Sequence, residues 1–317
     1  MNQPQINILA PLYNEEQVFD ELVNRLQRLI DTCALSIEVI FVDDGSTDNT
    51  PFKMRELSVK NEKFQSIILS RNFGHQMALS AGLKYVNSSE AVLIIDGDLQ
   101  DPPELLEELY TYYKKGYDVV YAVRKKRKES FLKRLAYNWF YKFLKRISYI
   151  EIPLDSGDFS LLSCKIVKQL NQMPEESRFL RGMRTWIGYN QIGIEYEREK
   201  RSGGESKYTL KKLIKLAFNG IFNFSEYPIK FITTLGLFIL TTSLVYFVSV
   251  VYKKIFYGDV PQGFTALLFM IVLFGGMQLM AIGLIGEYVL RIFFQVKNRP
   301  LYIIKERIVD KKIFVDN

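Results

Sequence analysis

A single histidine and two cysteines among 317 residues leave several chemistries without their reagents. His75 alone cannot build a multi-histidine metal site, nor back a Cys–His pair with a second imidazole. Cys33 and Cys164 are too few for a zinc cluster or a disulfide framework, so a reducing compartment is expected. The N-terminus, MNQPQINILAPLYNEE, lacks a basic stretch leading into a long apolar one, and no signal peptide is expected. No internal repeat or low-complexity tract is present. Chemistry in this chain must therefore rest on carboxylates, basic side chains and any metal they hold.

What the chain does have is a net charge of +7 and two long uncharged runs. Phe231 to Tyr252 and Val260 to Gly286 each exceed the roughly 20 residues that span a bilayer core. Lys253, Lys254 and Asp259 lie in the short connection between them. Lys211, Lys212, Lys215 and Lys230 precede the pair, and Arg291, Lys297, Arg299, Lys305 and Arg307 follow it. Positive flanks on both outer sides predict a two-helix hairpin with both of its ends in the cytoplasm.

Before the first run, short β-branched segments alternate with helical patterns, which predicts a parallel, doubly wound sheet. The expected strands are Ile6–Ala10, Glu38–Val42, Ser66–Leu69, Ala91–Ile95 and Asp118–Ala122, with helices over Glu15–Asp31, His75–Val86 and Pro103–Lys115. Ligands bind such sheets at the carboxyl ends of the strands. Those ends read PLYNEE, DDGSTD, SRNFG, DGDLQD and VRKKR, all polar. Further on, Phe131, Leu135, Trp139, Phe143 and Ile147 share a helical face. Thr209–Phe224 has a second apolar stripe beside Lys211, Lys212 and Lys215, and basic amphipathic helices of this kind suit an anionic membrane interface.

The densest acid cluster is AVLIIDGDLQDPPE, where an apolar strand surfaces into Asp96, Asp98, Asp101 and Glu104. Repulsion at that spacing needs a cation or a hydrogen-bond network to offset it. Asp96 and Asp98, with Gln100 as a neutral oxygen donor, suit Mg²⁺ or Mn²⁺ completed by phosphate oxygens and water. Asp101 and Glu104 are expected to serve the helix that Pro102 and Pro103 start. Asp43 or Asp44 offers acceptors to a nucleobase or ribose, with Thr47 and Asp48 read as an Asx turn and helix cap. Lone His75 is read as structural or ligand-adjacent, for want of an orienting partner.

PLYNEE, VDDGSTD, SRNFGHQ, DGDLQDPPE and RSGGESKY, in this order, resemble family 2 glycosyltransferases of the GT-A fold. Within that family the chain is most similar to polyprenyl-phosphate glycosyltransferases of the bactoprenol-phosphate glucosyltransferase kind, and is related to dolichol-phosphate mannose synthases. The resemblance implies a mostly parallel, Rossmann-like catalytic domain over residues 1–208, carrying an amphipathic helix near 130–148. It is followed by a juxtamembrane helix (209–228), a transmembrane hairpin (229–290) and a basic tail (291–317). It implies a nucleotide-sugar donor, UDP-glucose foremost, a divalent metal, inversion at the anomeric carbon and a polyprenyl phosphate acceptor. A multi-pass protein of the bacterial inner membrane follows, with both termini cytoplasmic, and a homo-oligomer is expected, with a tetramer among its open forms.

By position, the resemblance assigns Pro11, Tyr13, Glu15, Asp43 or Asp44, Arg71 and Asn72 to the nucleotide pocket. Asp96, Asp98 and Gln100 fall to the metal, with Asp96 also beside the nucleotide sugar. Asp158 matches the catalytic aspartate, and Asp155 stands close enough to leave that choice open. Arg201 and Lys207 bracket a glycine-containing loop that closes on the diphosphate, and Arg124, Arg127 and Arg134 are assigned to the acceptor phosphate. A phosphate monoester, with a second pKa near 6, is already largely ionised at neutral pH. It needs placing more than deprotonating. Two other readings stand beside this one. A processive polysaccharide synthase would want Q-x-x-R-W and a wider channel, where this chain has RGMRTW and two spans. A catalytically silent, membrane-anchored nucleotide-binding scaffold would share the motifs and lack turnover. Nucleic acid is not an expected partner, because the basic residues gather at the membrane flanks and in a phosphate-sized loop.

Overall fold

The structure, a computed structural model, describes residues 3–124, 156–197, 227–257 and 263–315. The amphipathic segments read near 130–148 and over Thr209–Phe224 lie outside them. The described residues divide between two units. One holds a nine-stranded sheet in the order β7-β5-β6-β4-β1-β2-β3-β8-β9.

Four strands build the parallel centre: β1 (Ile6–Leu12), β2 (Ile37–Asp43), β3 (Phe64–Leu69) and β4 (Ala91–Ile94). Every residue of β1, β3 and β4 is buried, as expected for strands covered on both faces. The covering helices are α1 (Glu16–Thr32), α2 (Thr50–Lys60), α3 (His75–Lys84) and α4 (Leu106–Lys114), the last entered through a 3-10 turn at Pro103–Leu105. Phe19 tilts against Phe41 at 5.4 Å, and Phe41 stacks on Phe64 at 5.9 Å, fastening α1 across β2 and β3. Each such fully buried apolar side chain contributes roughly 1.5–3 kcal/mol.

The sheet is not parallel throughout. After β5 (Val119–Arg124) the chain returns as β6 (Ser156–Ser163), which inserts antiparallel between β4 and β5. Helices α5 (Cys164–Gln172) and α6 (Leu180–Ile187) follow, and β7 (Gln191–Tyr196) closes that edge parallel to β5. The insertion matters for the site. Ile94 pairs with Ser160, so continuing the antiparallel register by two residues brings Asp158 level with Asp96.

At the opposite edge, β8 (Ile304–Val309) pairs antiparallel with β3, and β9 (Lys312–Val315) pairs with β8. Much of the segment read as a basic tail is thus a hairpin of the catalytic sheet. Asp310 and Lys311, with φ of 50° and 62°, make its two-residue turn. Arg55 of α2 forms a doubly hydrogen-bonded ion pair with Glu306, which is buried.

The second unit contains α7 (Tyr227–Tyr257) and α8 (Phe264–Lys297). Within them Tyr227–Lys253 and Leu273–Lys297 are long and apolar enough to cross a membrane, and their apolar windows are not buried inside the protein.

Candidate active site

The loop after β1 and the loop after β2 are sewn together by side chains accepting backbone N–H groups. Asn14, at φ 52°, donates its N–H to Ser46 Oγ at 2.9 Å, and its Oδ1 accepts the Thr47 N–H at 2.8 Å. Glu15 donates its N–H to Thr50 Oγ1 at 3.0 Å and gives its carbonyl to the first turn of α1. Asp48 accepts from Thr50 N at 3.0 Å and Glu16 N at 3.2 Å, the local capping role read for it. Pro11 is buried in β1, and Tyr13 is half-buried just beyond that strand.

The two aspartates ending β2 divide their work. Asp43 accepts the Ser46 N–H at 3.1 Å and shapes its own turn. Asp44 accepts the N–H groups of Phe73 at 2.8 Å and Gly74 at 3.0 Å, pinning the loop after β3 at the start of α3. Gly45, at φ 67°, lies against the backbone of Arg71 and Asn72, where any Cβ would collide. Burial pushes both carboxyls above their usual range, against the hydrogen bonds they accept. Arg71 and Asn72 are exposed on this edge, the Arg71 guanidinium lying 4.0 Å over the Phe73 ring.

Asp96 and Asp98 follow β4. Leu99 at φ 59° turns the chain so that Gln100 donates its N–H to Asp98 Oδ1 at 3.2 Å. The intervening Gly97 sits against Leu12, with Pro11 O 3.0 Å from where a Cβ would stand. The other two acids of the cluster have partners in distant elements. Glu104 pairs with Arg25 of α1 at 2.7 Å, and buried Asp101 accepts the Tyr196 hydroxyl of β7 at 2.5 Å.

Asp158, on β6, is the centre of the constellation. Arg181 of α6 donates Nε to its Oδ1 at 2.9 Å and Nη2 to its Oδ2 at 3.2 Å. His75 Nε2 lies 3.2 Å from Oδ2, and Gln76 Nε2 donates to the same oxygen at 3.0 Å. His75 Nε2 also stands 3.7 Å from Asp96 Oδ1, so the one imidazole in the chain bridges the two carboxylates. Behind them, buried Arg184 donates to Ser160 Oγ at 3.0 Å, and that hydroxyl donates to the Asp158 carbonyl at 2.8 Å.

The electrostatics follow from these contacts. Burial would raise the Asp158 carboxyl, but Arg181 and His75 overcome it and hold the group well below its ordinary range. Burial opposes charge on His75, yet the Asp158 hydrogen bond and nearby Asp96 raise its pKa. Asp96 is pushed up to about 6 by burial, opposed by His75 and reinforced by the charges of Asp101, Asp158 and Asp98. Burial drops Arg184 to about 10. Only 5 % of the Asp158 side chain is exposed, against 34 % of His75 and 26 % of Arg181. Partly exposed His75 and Arg181 are therefore seated on a buried, ionised carboxylate.

Arg124 ends β5 on the same edge of the sheet, one strand from Asp158. Asp155, Arg127, Arg134, Arg201 and Lys207 lie outside the described residues. Reading along the sequence missed Arg181 and Gln76 and set His75 aside for want of an orienting partner. The structure supplies that partner from a strand 83 positions away. The signal was present as HQ at the end of SRNFGHQ and as the first arginine of RGMRTW.

The family model of glycosyl transferase family 2 matches residues 7–170, which span β1 to α5. Over 315 residues the chain is 41% identical to the uncharacterized glycosyltransferase YkcC of Bacillus subtilis (strain 168), covering 98% of this chain and 97% of the relative. It is 41% identical over 304 residues to the uncharacterized glycosyltransferase sll0501 of Synechocystis, covering 95% of each. It is 36% identical over 303 residues to the SfII prophage-derived bactoprenol glucosyl transferase of Shigella flexneri, covering 95% of this chain and 98% of the relative. The chain belongs to glycosyl transferase family 2, and it is a glycosyltransferase.

Proposed function

We propose that this glycosyltransferase moves a hexose, glucose from UDP-glucose, onto a polyprenyl phosphate at the cytoplasmic face of a membrane. The observation that carries the reading is the ionised Asp158 held by Arg181, His75 and Gln76 beside the Asp96–Asp98 turn. An acceptor phosphate oxygen attacks the anomeric carbon from the face opposite the diphosphate. The bond to the diphosphate breaks, its electron pair leaves with the nucleotide, and the configuration inverts. A carboxylate held this far below its usual pKa is a poor proton acceptor. That suits a phosphate nucleophile, which arrives without a proton to remove. Asp158 then orients the sugar and offsets positive charge developing at the anomeric carbon.

Asp96 and Asp98, with Gln100, fit a hard divalent cation such as Mg²⁺ or Mn²⁺. Their donors are oxygens, and the charges of Asp101, Asp158 and Asp98, which add to the burial that pushes Asp96 up to about 6, are what a cation would relieve. Among the described residues no group of three or more His, Cys, Asp or Glu side chains is placed to hold a metal, so donor phosphate oxygens would complete the shell. When bound, the cation neutralises charge on the departing diphosphate. Arg201 and Lys207 are proposed to close on the same diphosphate, and Arg124, Arg127 and Arg134 to receive the acceptor.

The lipid acceptor is supported by the relatives named as bactoprenol glucosyl transferases and by the two apolar helices. The topology has a separate support. β7 precedes the helices and β8 follows them, yet both strands belong to one sheet. Any excursion through a membrane must therefore return to the side it left. The test is a panel of radiolabelled nucleotide sugars offered to purified full-length protein with undecaprenyl phosphate and Mg²⁺ or Mn²⁺. Transfer of glucose to the lipid is expected. Transfer to the lipid from another donor alone would replace the sugar, and absence of lipid product with every donor would overturn the reading.

A further inference from the structure

We propose that Gln76 is a positioning residue for this reaction, locking Asp158 and the first turn of α6 into one unit. The inference rests on the functional reading above for the importance of Asp158. Gln76 uses both ends of its amide: Nε2 donates to Asp158 Oδ2 at 3.0 Å, and Oε1 accepts the Leu180 N–H at 2.9 Å. The orientation of that amide is dictated by its partners. A flipped amide would aim its oxygen at a carboxylate and its NH₂ at an N–H donor.

Leu180 opens α6, whose N-cap, Phe179, provides no side-chain cap. Its N–H is one of the donors that a helix start leaves without an intrahelical acceptor. Gln76 thus caps α6 from α3, and the next residue of α6 is Arg181, which makes the two-pronged contact to Asp158. One amide joins three elements: α3, β6 and α6. The charged groups around it are His75 of α3, Asp96 after β4, Asp158 of β6, and Arg181 and Arg184 of α6. Asp44 adds a further constraint, since it fixes the N–H of Gly74 immediately before α3.

Two substitutions in the full-length protein test this. Gln76→Met keeps the volume and removes both hydrogen bonds. It should lower kcat by ~10- to 100-fold, the scale of a lost contact to a charged group, and leave donor KM unchanged. Gln76→Glu carries a sharper signature. Protonated, its O–H donates to Asp158 and its carbonyl accepts from Leu180, reproducing the native pattern. Ionised, it sets two carboxylates against each other. Its deficit in kcat relative to the native protein should therefore widen from about pH 5.5 to about pH 8, and its deficit in Tm should widen in parallel. A Gln76→Met kcat within ~2-fold of native would overturn the proposal, as would Gln76→Glu deficits that do not change with pH. The Tm series needs no substrate. If the native protein transferred nothing to polyprenyl phosphate, the functional reading would fall, and the Tm series would still decide whether Gln76 locks Asp158 to α6.

Discussion

Two pairs of acids sit among the strand ends of the sheet and are treated in opposite ways. At the end of β2, Asp43 and Asp44 accept from main-chain N–H groups of Ser46, Phe73 and Gly74. At the ends of β4 and β6, Asp96 and Asp158 meet the side chains of His75, Gln76 and Arg181. Peptide dipoles do not outweigh desolvation in the first pair, so both carboxyls titrate above their usual range. Full charges do outweigh it at Asp158, which is driven the other way. An acid satisfied by backbone sets the course of a loop. An acid satisfied by side chains leaves a charge distribution that a substrate can reorganise.

The sharpest way to break this contrast is to neutralise one acid from each pair. Asp158→Asn keeps the shape and removes the charge that organises Arg181 and His75, so kcat should fall by ~1,000-fold, the upper scale for one preorganised electrostatic contact. Radiolabelled transfer at saturating donor reads this; a rate near native would reduce Asp158 to a structural acid. Arg181→Ala should cost ~100-fold, with donor KM nearly constant. An equal loss in KM would make Arg181 a donor-binding group instead.

Asp44→Ala should do the reverse. It leaves the Phe73 and Gly74 N–H groups without their acceptor, a loss of about 2 kcal/mol in stability. In a domain of this size that lowers Tm by roughly 5 °C. Nucleotide-sugar binding well below that temperature should persist, as calorimetry would show. Lost binding with unchanged Tm would instead place the Asp44 carboxylate on the nucleotide.

On the proposed metal assignment, proton and metal would compete at Asp96, whose folded pKa is raised to about 6. Divalent-ion affinity should be full above that pH and fall by about 10-fold for each unit below it. A profile flat between about pH 5 and 7 would remove Asp96 from the metal site. Asp158 contributes a dependence of the same sense, in stability and at lower pH. Its depressed pKa gives stability that is present above the ordinary carboxylate range and lost only as pH falls below it. The smallest effect belongs to the sheet edge. Arg55→Ala opens a pair whose arginine is 42 % exposed, so about 1 kcal/mol is expected once solvent screening is allowed for.

Much of the scaffold is written locally. All five strands expected in the first 124 residues form within one or two positions of their limits, because each is an apolar run bounded by turn residues. The Asp96–Asp98 turn and Asp158 are likewise visible as short motifs. What local pattern could not supply is the position of β6. An antiparallel strand inserted between β4 and β5 is fixed by pairing partners far apart in sequence. That single placement sets Asp158 opposite Asp96 and within reach of His75, Gln76 and Arg181. The β8–β9 hairpin was hidden for another reason. Its turn is Asp310-Lys311, where an Asn-Gly or Asp-Gly pair would have announced it, and its lysines read as a basic tail.

That hairpin imposes an order on biosynthesis. When the ribosome has made β7, seven of the nine strands are present, and the free side of β3 waits for a segment encoded after α7 and α8. The emerging domain must keep that open edge from foreign partners while two apolar helices leave the exit tunnel. Glu306 then arrives to meet Arg55 across 251 positions of chain. Completion of the catalytic sheet is thereby timed to follow delivery of the helices, so a fragment released early carries an unfinished sheet edge.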